Sequence, residues 1–176
     1  MTDLLDHILD DVETLALPTR SIQELRELRD RCQVIEGGLS YGRRMIQGRL
    51  DIVICEVERR SSGGPESLDE LMERLPAVLS RQTRGNGAPR PVRNAEIPTF
   101  TDLLTGEADA ILDPTELGHL AEATDVRIDE IIVLLQALEN QVSVKRHETH
   151  RRIDELQDEI VSRYRSGAAS VDDLLR

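Results

Sequence analysis

The chain of 176 residues has 22 Lys and Arg against 34 Asp and Glu, a net charge of −12, with one Phe, two Tyr and no Trp. The length fits about one domain. The scarcity of aromatic residues argues against a β-sandwich or barrel and against an RNA platform that stacks bases. The negative charge opposes non-specific attraction to nucleic acid or to an anionic membrane, so we expect no direct DNA binding, and a basic protein is a better partner.

The first fifteen residues, MTDLLDHILDDVETL, are acidic and lack the basic start and apolar centre of a signal peptide. No apolar run is long enough for a membrane span. Cys32 and Cys55 fall on one predicted helix, roughly 35 Å apart at 1.5 Å per residue, so they cannot pair with each other. We therefore expect a reduced, cytoplasmic protein.

Residues 1–16 predict a short acidic amphipathic helix that ends before Pro18. Two roles stay open for this helix, packing on its own domain or docking on a partner. Its apolar face carries the residues at helical spacing, Leu4, Leu5, Ile8, Leu9, Val12 and Leu15.

Residues 20–61 predict a first long helix. Ser21 and Glu24 have the spacing of a capping box at its start, and Ser61 to Pro65 stop it. A helix of about 40 residues is longer than globular helices usually are, which favours a coiled-coil arm. Its apolar seam follows the 3/4 spacing through Leu25, Leu28, Cys32, Ile35, Leu39, Ile46 and Val53.

Residues 62–114 predict a connector with a short helix at 67–80 and a flexible linker at 81–99. Residues 115–176 predict a second long helix and tail, with Pro114 favouring a start near Thr115 and Gly167 as the C-cap. Its seam comprises Ile128, Ile131, Leu135, Leu138, Val142, Ile153, Leu156 and Ile160. The predicted fold class is all-α: an antiparallel two-helix coiled coil, which buries both seams, with short N-terminal and connector helices.

Both long helices carry one polar pattern with spacings 4, 3, 4 and 4, repeated at an offset of 103 residues. The first copy is Glu36, Ser40, Arg43, Gln47 and Asp51, and the second is Glu139, Ser143, Arg146, His150 and Asp154. At 100° per residue each set lies within an arc of about 80°, beside the apolar seam. Further identical pairs at this offset are Gln33/Gln136, Arg49/Arg152, Glu56/Glu159 and Arg60/Arg163.

An antiparallel pairing of Arg43 with Arg146 predicts a pseudo-two-fold axis between the two copies and places Arg60 near Asp129. Arginine offers a planar fork for phosphate oxygens or for guanine O6 and N7. Carboxylates accept hydrogen bonds from the N1–H and N2–H₂ of guanine. The repeated set therefore suits a two-fold ligand with guanines and phosphates, such as a cyclic dinucleotide.

The first helix contains four glycines, Gly37, Gly38, Gly42 and Gly48, and each costs about 0.5–1 kcal/mol relative to Ala in a helix interior. One interpretation is a helix break at Gly37-Gly38. The other is that a ligand or partner approaches the backbone closely, which the uninterrupted seam favours.

The duplicated pattern resembles the RsiG family of anti-sigma factors, whose signature is E-x3-S-x2-R-x3-Q-x3-D on each helix of an antiparallel coiled coil. The first copy matches in full, and His150 replaces Gln in the second. The resemblance implies a pair of cyclic di-GMP molecules bound by the ten motif residues. It also implies a partner, a sporulation sigma factor of the WhiG type, that is kept from RNA polymerase without any catalytic turnover.

Two alternatives remain. A coiled-coil adaptor that binds no ligand would use the motif residues as a solvated, salt-bridged face, although it has no reason to keep the glycines. A di-metal helical-bundle enzyme would draw on His147, Glu148 and His150, but such sites need a Glu-x-x-His on each of two helices, and the first helix has no His. We therefore expect no enzyme and no metal site.

Overall fold

The computed structural model describes residues 17–62 and 100–167. The predicted N-terminal helix (1–16), the short helix at 67–80, the linker at 81–99 and the tail beyond Gly167 lie outside the described residues. The described elements are α1 (Ile22–Ser61), α2 (Phe100–Ile111), α3 (Pro114–Gly118) and α4 (Asp125–Arg165), with 3₁₀ turns at Leu17–Thr19 and Leu120–Glu122. These two ranges contain no strand, and the predicted all-α fold class is confirmed.

Helix α1 begins at a capping box. The Glu24 amide donates to Ser21 Oγ at 3.2 Å, and the Ser21 amide donates to Glu24 Oε2 at 2.7 Å. The helix then continues without a break through Gly37 and Gly38, so the interpretation of a break at these glycines is wrong. Nothing lies within 4 Å of a Cβ built at Gly37, which leaves open space beside the backbone there.

The second long helix begins at Asp125, ten residues later than the sequence predicts. A short helix does start at Pro114, where Asp113 accepts hydrogen bonds from two backbone amides, but it ends at Gly118. Thr124 Oγ1 then caps α4 by accepting from the Arg127 amide at 3.2 Å. The interruption between α3 and α4 also has a tertiary cause. The carbonyls of Leu120 and Ala123, which lie between these helices, accept hydrogen bonds from Arg60 of α1.

The described residues divide into two compact units. The first unit comprises residues 17–43, 100–102 and 140–167, and the second comprises residues 44–62 and 103–139. In the first unit, Arg26 bonds Tyr164 and Arg29 bonds Gln157. In the second, Gln47 bonds Glu139, and Arg60 pairs with Asp125 at 2.5 Å. In each unit the residue numbers rise on α1 as they fall on α4, so the two helices run antiparallel.

Each unit has its own apolar core built from the predicted seams. The first core packs Leu25, Leu28, Cys32, Leu156 and Ile160 together. Burial of one such leucine contributes about 1.5–3 kcal/mol, so the seams account for the pairing of the helices. The second unit also buries apolar residues, namely Ile46, Val53, Ile128, Ile131, Leu135 and Leu138 of the seams, Leu120 of the 3₁₀ turn, and Leu104, Ala108 and Leu112 at helix α2.

An arginine clamp holds the start of α1 in the first unit. Arg163 donates to the carbonyls of Leu17, at 2.7 Å, and of Arg20, and its Nε donates to Glu159 at 2.8 Å. The guanidinium therefore takes up carbonyls of the 3₁₀ turn that precedes α1.

The second unit has the same clamp at the start of α4. Arg60 donates to the carbonyls of Leu120 and Ala123, both at 2.8 Å, and its Nε donates to Glu56 at 2.7 Å. The partners of the two clamps are related by the same offset of 103 residues. The structural repeat is thus longer than the polar pattern, and it includes the 3₁₀ turn, the cap and the long helix.

Within residues 17–62 and 100–167, no helix combines the length and the apolar character that crossing a membrane requires.

Candidate functional site

The motif residues flank the apolar seam, as their spacing predicts. Nine of them are half-buried, and Asp154 is exposed. The first unit holds Glu36, Ser40, Arg43, Ser143, Arg146, His150 and Asp154, and the second holds Gln47, Asp51 and Glu139. Partly desolvated polar groups on a helix flank can bind a ligand without disturbing the core beside them.

Glu36 is the centre of a polar cluster in the first unit. Its Oε1 accepts from Ser40 Oγ at 2.7 Å and lies 3.0 Å from His150 Nε2 and 3.5 Å from an Arg146 nitrogen. The same Arg146 nitrogen is 3.0 Å from His150 Nε2. One ring nitrogen cannot donate to Glu36 and accept from Arg146 at once, so these two contacts are alternatives set by the imidazole tautomer.

Arg146 has a hydrogen-bond donor that its neighbours do not use. Its Nε is buried and donates to no acceptor among the described residues. The same holds for the Nε of Arg43, although Arg43 makes other contacts. A buried donor left without an acceptor costs about 1–3 kcal/mol. An oxygen that meets this edge of Arg146 after the guanidinium turns outward would remove that cost.

In the second unit the corresponding contact is simpler. Gln47 Nε2 donates to Glu139 Oε1 at 2.9 Å. In both units the first residue of one motif copy therefore meets the fourth residue of the other copy, Glu36 with His150 and Glu139 with Gln47. Burial raises the pKa of Asp51, the other motif carboxyl in this unit.

The predicted register is correct to about one helical turn. Arg60 was expected near Asp129, and the two line one surface pocket of the second unit, but the ion pair of Arg60 is with Asp125. The ion pair of Arg60 lies about one turn closer to the start of α4 than the pairing of Arg43 with Arg146 predicts.

Arg49 has a role that the sequence did not reveal. The sequence shows only that it is repeated as Arg152, yet its side chain is 10% exposed and donates to Asp109 of α2 in the second unit. The available signal was an arginine at a position of the apolar seam, since a buried guanidinium needs an acidic partner. Its partner on the connector was not predictable from spacing.

The described residues contain no group of three or more His, Cys, Asp and Glu side chains that could hold a metal ion. His147, one residue of the di-metal alternative, uses its Nδ1 in a 2.8 Å contact with the carbonyl of Ser143 on its own helix.

Comparison with known proteins gives one family. Residues 11–79 match the family model described as RsiG-like. None of the curated proteins matches the chain. The family match includes the whole first motif copy on α1 and ends before the second copy. Over residues 11–79 the chain is therefore similar to the RsiG-like family, which is of a regulatory, anti-sigma-factor type.

Proposed function

We propose that the chain is an anti-sigma factor that binds cyclic di-GMP through the duplicated motif and then holds a sigma factor of the WhiG type away from RNA polymerase. The observation that carries the proposal is the complete E-x3-S-x2-R-x3-Q-x3-D pattern, Glu36 to Asp51, inside the segment that matches the RsiG-like family. Its repetition on α4 suits a pair of ligand molecules.

The chemistry of the first unit supports a ligand that carries both phosphates and guanines. Arg146 has a donor edge, its Nε, that no group among the described residues uses, which suits a phosphate oxygen. Glu36 is an acceptor whose side chain keeps 20% of its surface exposed, which suits the N1–H and N2–H₂ of guanine. Charge-assisted hydrogen bonds of both kinds are stronger than neutral ones, so few contacts are needed.

Binding would require the cluster around Glu36 to open. The 3.5 Å contact between Arg146 and Glu36 is too long for a strong hydrogen bond, so a phosphate can compete for the guanidinium. Ser40 stays within reach as a neutral donor. His150 stands where the first copy has Gln47, and an imidazole reaches less far than an amide but also donates or stacks.

The adaptor alternative rests on the same contacts. Glu36 already has close contacts with Ser40, His150 and Arg146, which is what a purely structural polar face shows. Only a ligand titration separates the two functions.

The test is calorimetric titration with cyclic di-GMP, with cyclic di-AMP and GTP as controls, first alone and then with the sigma factor present. We expect selective binding of cyclic di-GMP and its loss in the double variant R43A/R146A, with helical content retained by far-UV circular dichroism. The matched control is R44A/R151A, because Arg44 and Arg151 are exposed neighbours outside the motif.

Binding that appears only in the mixture would make the sigma factor part of the site. Normal binding by R43A/R146A would show that the site lies elsewhere. No binding in either titration, with or without the sigma factor, would leave the adaptor function, with the repeat as a duplicated structural arm.

A further inference from the structure

His150 is the motif residue at which the second copy departs from the first, which has Gln47 at that position. Each of the two residues meets a glutamate within its own unit, Gln47 with Glu139 at 2.9 Å and His150 with Glu36 at 3.0 Å. An amide keeps its donor hydrogens at every pH, whereas an imidazole gains or loses a proton near neutral pH. The first unit therefore has a titratable group where the second has a permanent donor.

Two contacts compete for one ring nitrogen of His150. Its Nε2 is 3.0 Å from Glu36 Oε1, an acceptor, and 3.0 Å from Nη1 of Arg146, a donor. In the neutral imidazole, Nε2 either donates, which satisfies Glu36 and opposes Arg146, or accepts, which satisfies Arg146 and opposes Glu36. Each tautomer thus leaves one of the two contacts unfavourable.

Protonation of the imidazole resolves this competition in favour of Glu36. Both nitrogens of an imidazolium are donors, so Nε2 then donates a charge-assisted hydrogen bond to the carboxylate. The same charge repels Arg146, whose contact with Glu36 is weak at 3.5 Å. Because 23% of the Arg146 side chain is already exposed, the guanidinium can turn outward.

An outward guanidinium presents the donors that an anionic ligand requires. Arg146 Nε is buried in the present arrangement and has no acceptor within residues 17–62 and 100–167. Turning outward offers that N–H together with the Nη hydrogens, and this planar fork matches phosphate oxygens. The contacts of Glu36 with Ser40, Arg146 and His150 all use Oε1, so Oε2 can still accept from a guanine N–H.

We propose that His150 is a proton-dependent positioning residue of the first unit, whose protonation holds Glu36 and releases Arg146 to a phosphate of the ligand. The inference rests on the proposed function, since the ligand is the cyclic di-GMP bound by the motif. A ligand that binds the protonated form more tightly takes up protons as it binds. Its affinity therefore rises as the pH falls through the range in which imidazoles titrate.

The other charged groups on this face do not titrate in the same range. From α1, Glu36 faces the imidazole and Arg43 lies on the same flank of the seam, and α4 contributes Arg146 and Asp154. Arginine side chains keep their proton, and carboxyl groups ordinarily lose theirs well below the range of an imidazole. The phosphodiesters of a cyclic dinucleotide stay ionised as well. A dependence near neutral pH is thus a property of His150.

The test measures the affinity of the full chain for cyclic di-GMP by calorimetry at about pH 6 and about pH 8, in buffers of low and high ionisation enthalpy. We expect an affinity about tenfold higher at the lower pH, with net proton uptake on binding. H150Q, which completes the second motif copy, should bind with little change between the two pH values. H147Q is the matched control and should keep the dependence, because His147 is exposed and its Nδ1 contacts the Ser143 carbonyl.

Equal affinities at the two pH values, without proton uptake, would overturn this inference and leave the proposed function in place. A pH dependence in H150Q as large as that of the parent chain would also overturn it, since another group would then titrate. Failure of the parent chain to bind cyclic di-GMP at either pH, alone and with the sigma factor, would overturn both the inference and the proposed function.

Discussion

The two units build the same motif contact from different chemistry. In the first unit, Glu36 lies among a hydroxyl, an imidazole and a guanidinium, whereas in the second Glu139 accepts from the amide of Gln47. The spacing of the motif is identical in the two copies, so which positions meet is a property of the repeat. What the contact does depends on the fourth residue, where His150 replaces glutamine.

The ends of the two units differ less than their motif faces. Arg60 and Arg163 both hold a 3₁₀ turn through its carbonyls, and both are oriented by a glutamate of their own helix. A guanidinium can bridge several acceptors in one plane, which a lysine cannot do. The clamps are thus a shared structural device, and the motif faces are where the copies diverge.

The largest expected difference between the units is in the free energy of unfolding lost when an equivalent seam residue is shortened to Ala. The equivalent residues are Leu135 in the second unit and Cys32 in the first, both 0% exposed. L135A should lower the free energy of unfolding by about 2–5 kcal/mol, because it leaves a cavity the size of most of a leucine. C32A removes only a sulfur and should cost about 1 kcal/mol. Urea unfolding measures both, and equal costs would show that the two seams are not packed alike.

The clamps should give the next largest effect, and a symmetric one. R60A should speed amide exchange at the start of α4, and R163A should do so at the start of α1, because each removes donors to several carbonyls. Hydrogen exchange with peptide resolution measures each end separately. R60K and R163K serve as controls that keep the charge, and full protection in R60A would contradict the role given to the clamp.

The smallest expected effect is a difference in pH dependence between the starts of α1 and α4. Hydrogen bonds from the Ser21 backbone and hydroxyl, and from Arg20, lower the pKa of Glu24 from its ordinary value. This contribution is complete above the ordinary pKa of a glutamate and disappears as the pH falls through the lowered value. The start of α4 has Arg127 at the same position and no such carboxylate.

Protection factors of the first α1 amides should therefore fall on acidification, and they should fall more than those of the first α4 amides. Near the α4 start, the carboxylates of Asp125 and Glu116 pair with arginine side chains. E24Q is the control, since its amide oxygen accepts at every pH. An acid response that survives E24Q would assign the effect to another group.

Most of the helical architecture followed from the sequence because it rests on local rules. The 3/4 spacing from Leu25 to Val53 and from Ile128 to Ile160 predicts the buried faces, and the structure buries most of those residues. The capping box of Ser21 and Glu24 predicts the start of α1. Gly167 follows the end of α4 and has a φ of 74°, the left-handed conformation that is typical of a glycine C-cap. The polar repeat likewise predicted ten residues flanking the seam, although their ligand stays a proposal.

What the sequence did not reveal depends on contacts between distant residues. The interruption between α3 and α4 was missed because Arg60, about sixty positions earlier, takes up the carbonyls of Leu120 and Ala123. Helix α2 and its ion pair from Asp109 to Arg49 were missed for the same reason. Spacing along one helix determines which face is buried, and only the folded chain determines which polar groups meet across that face.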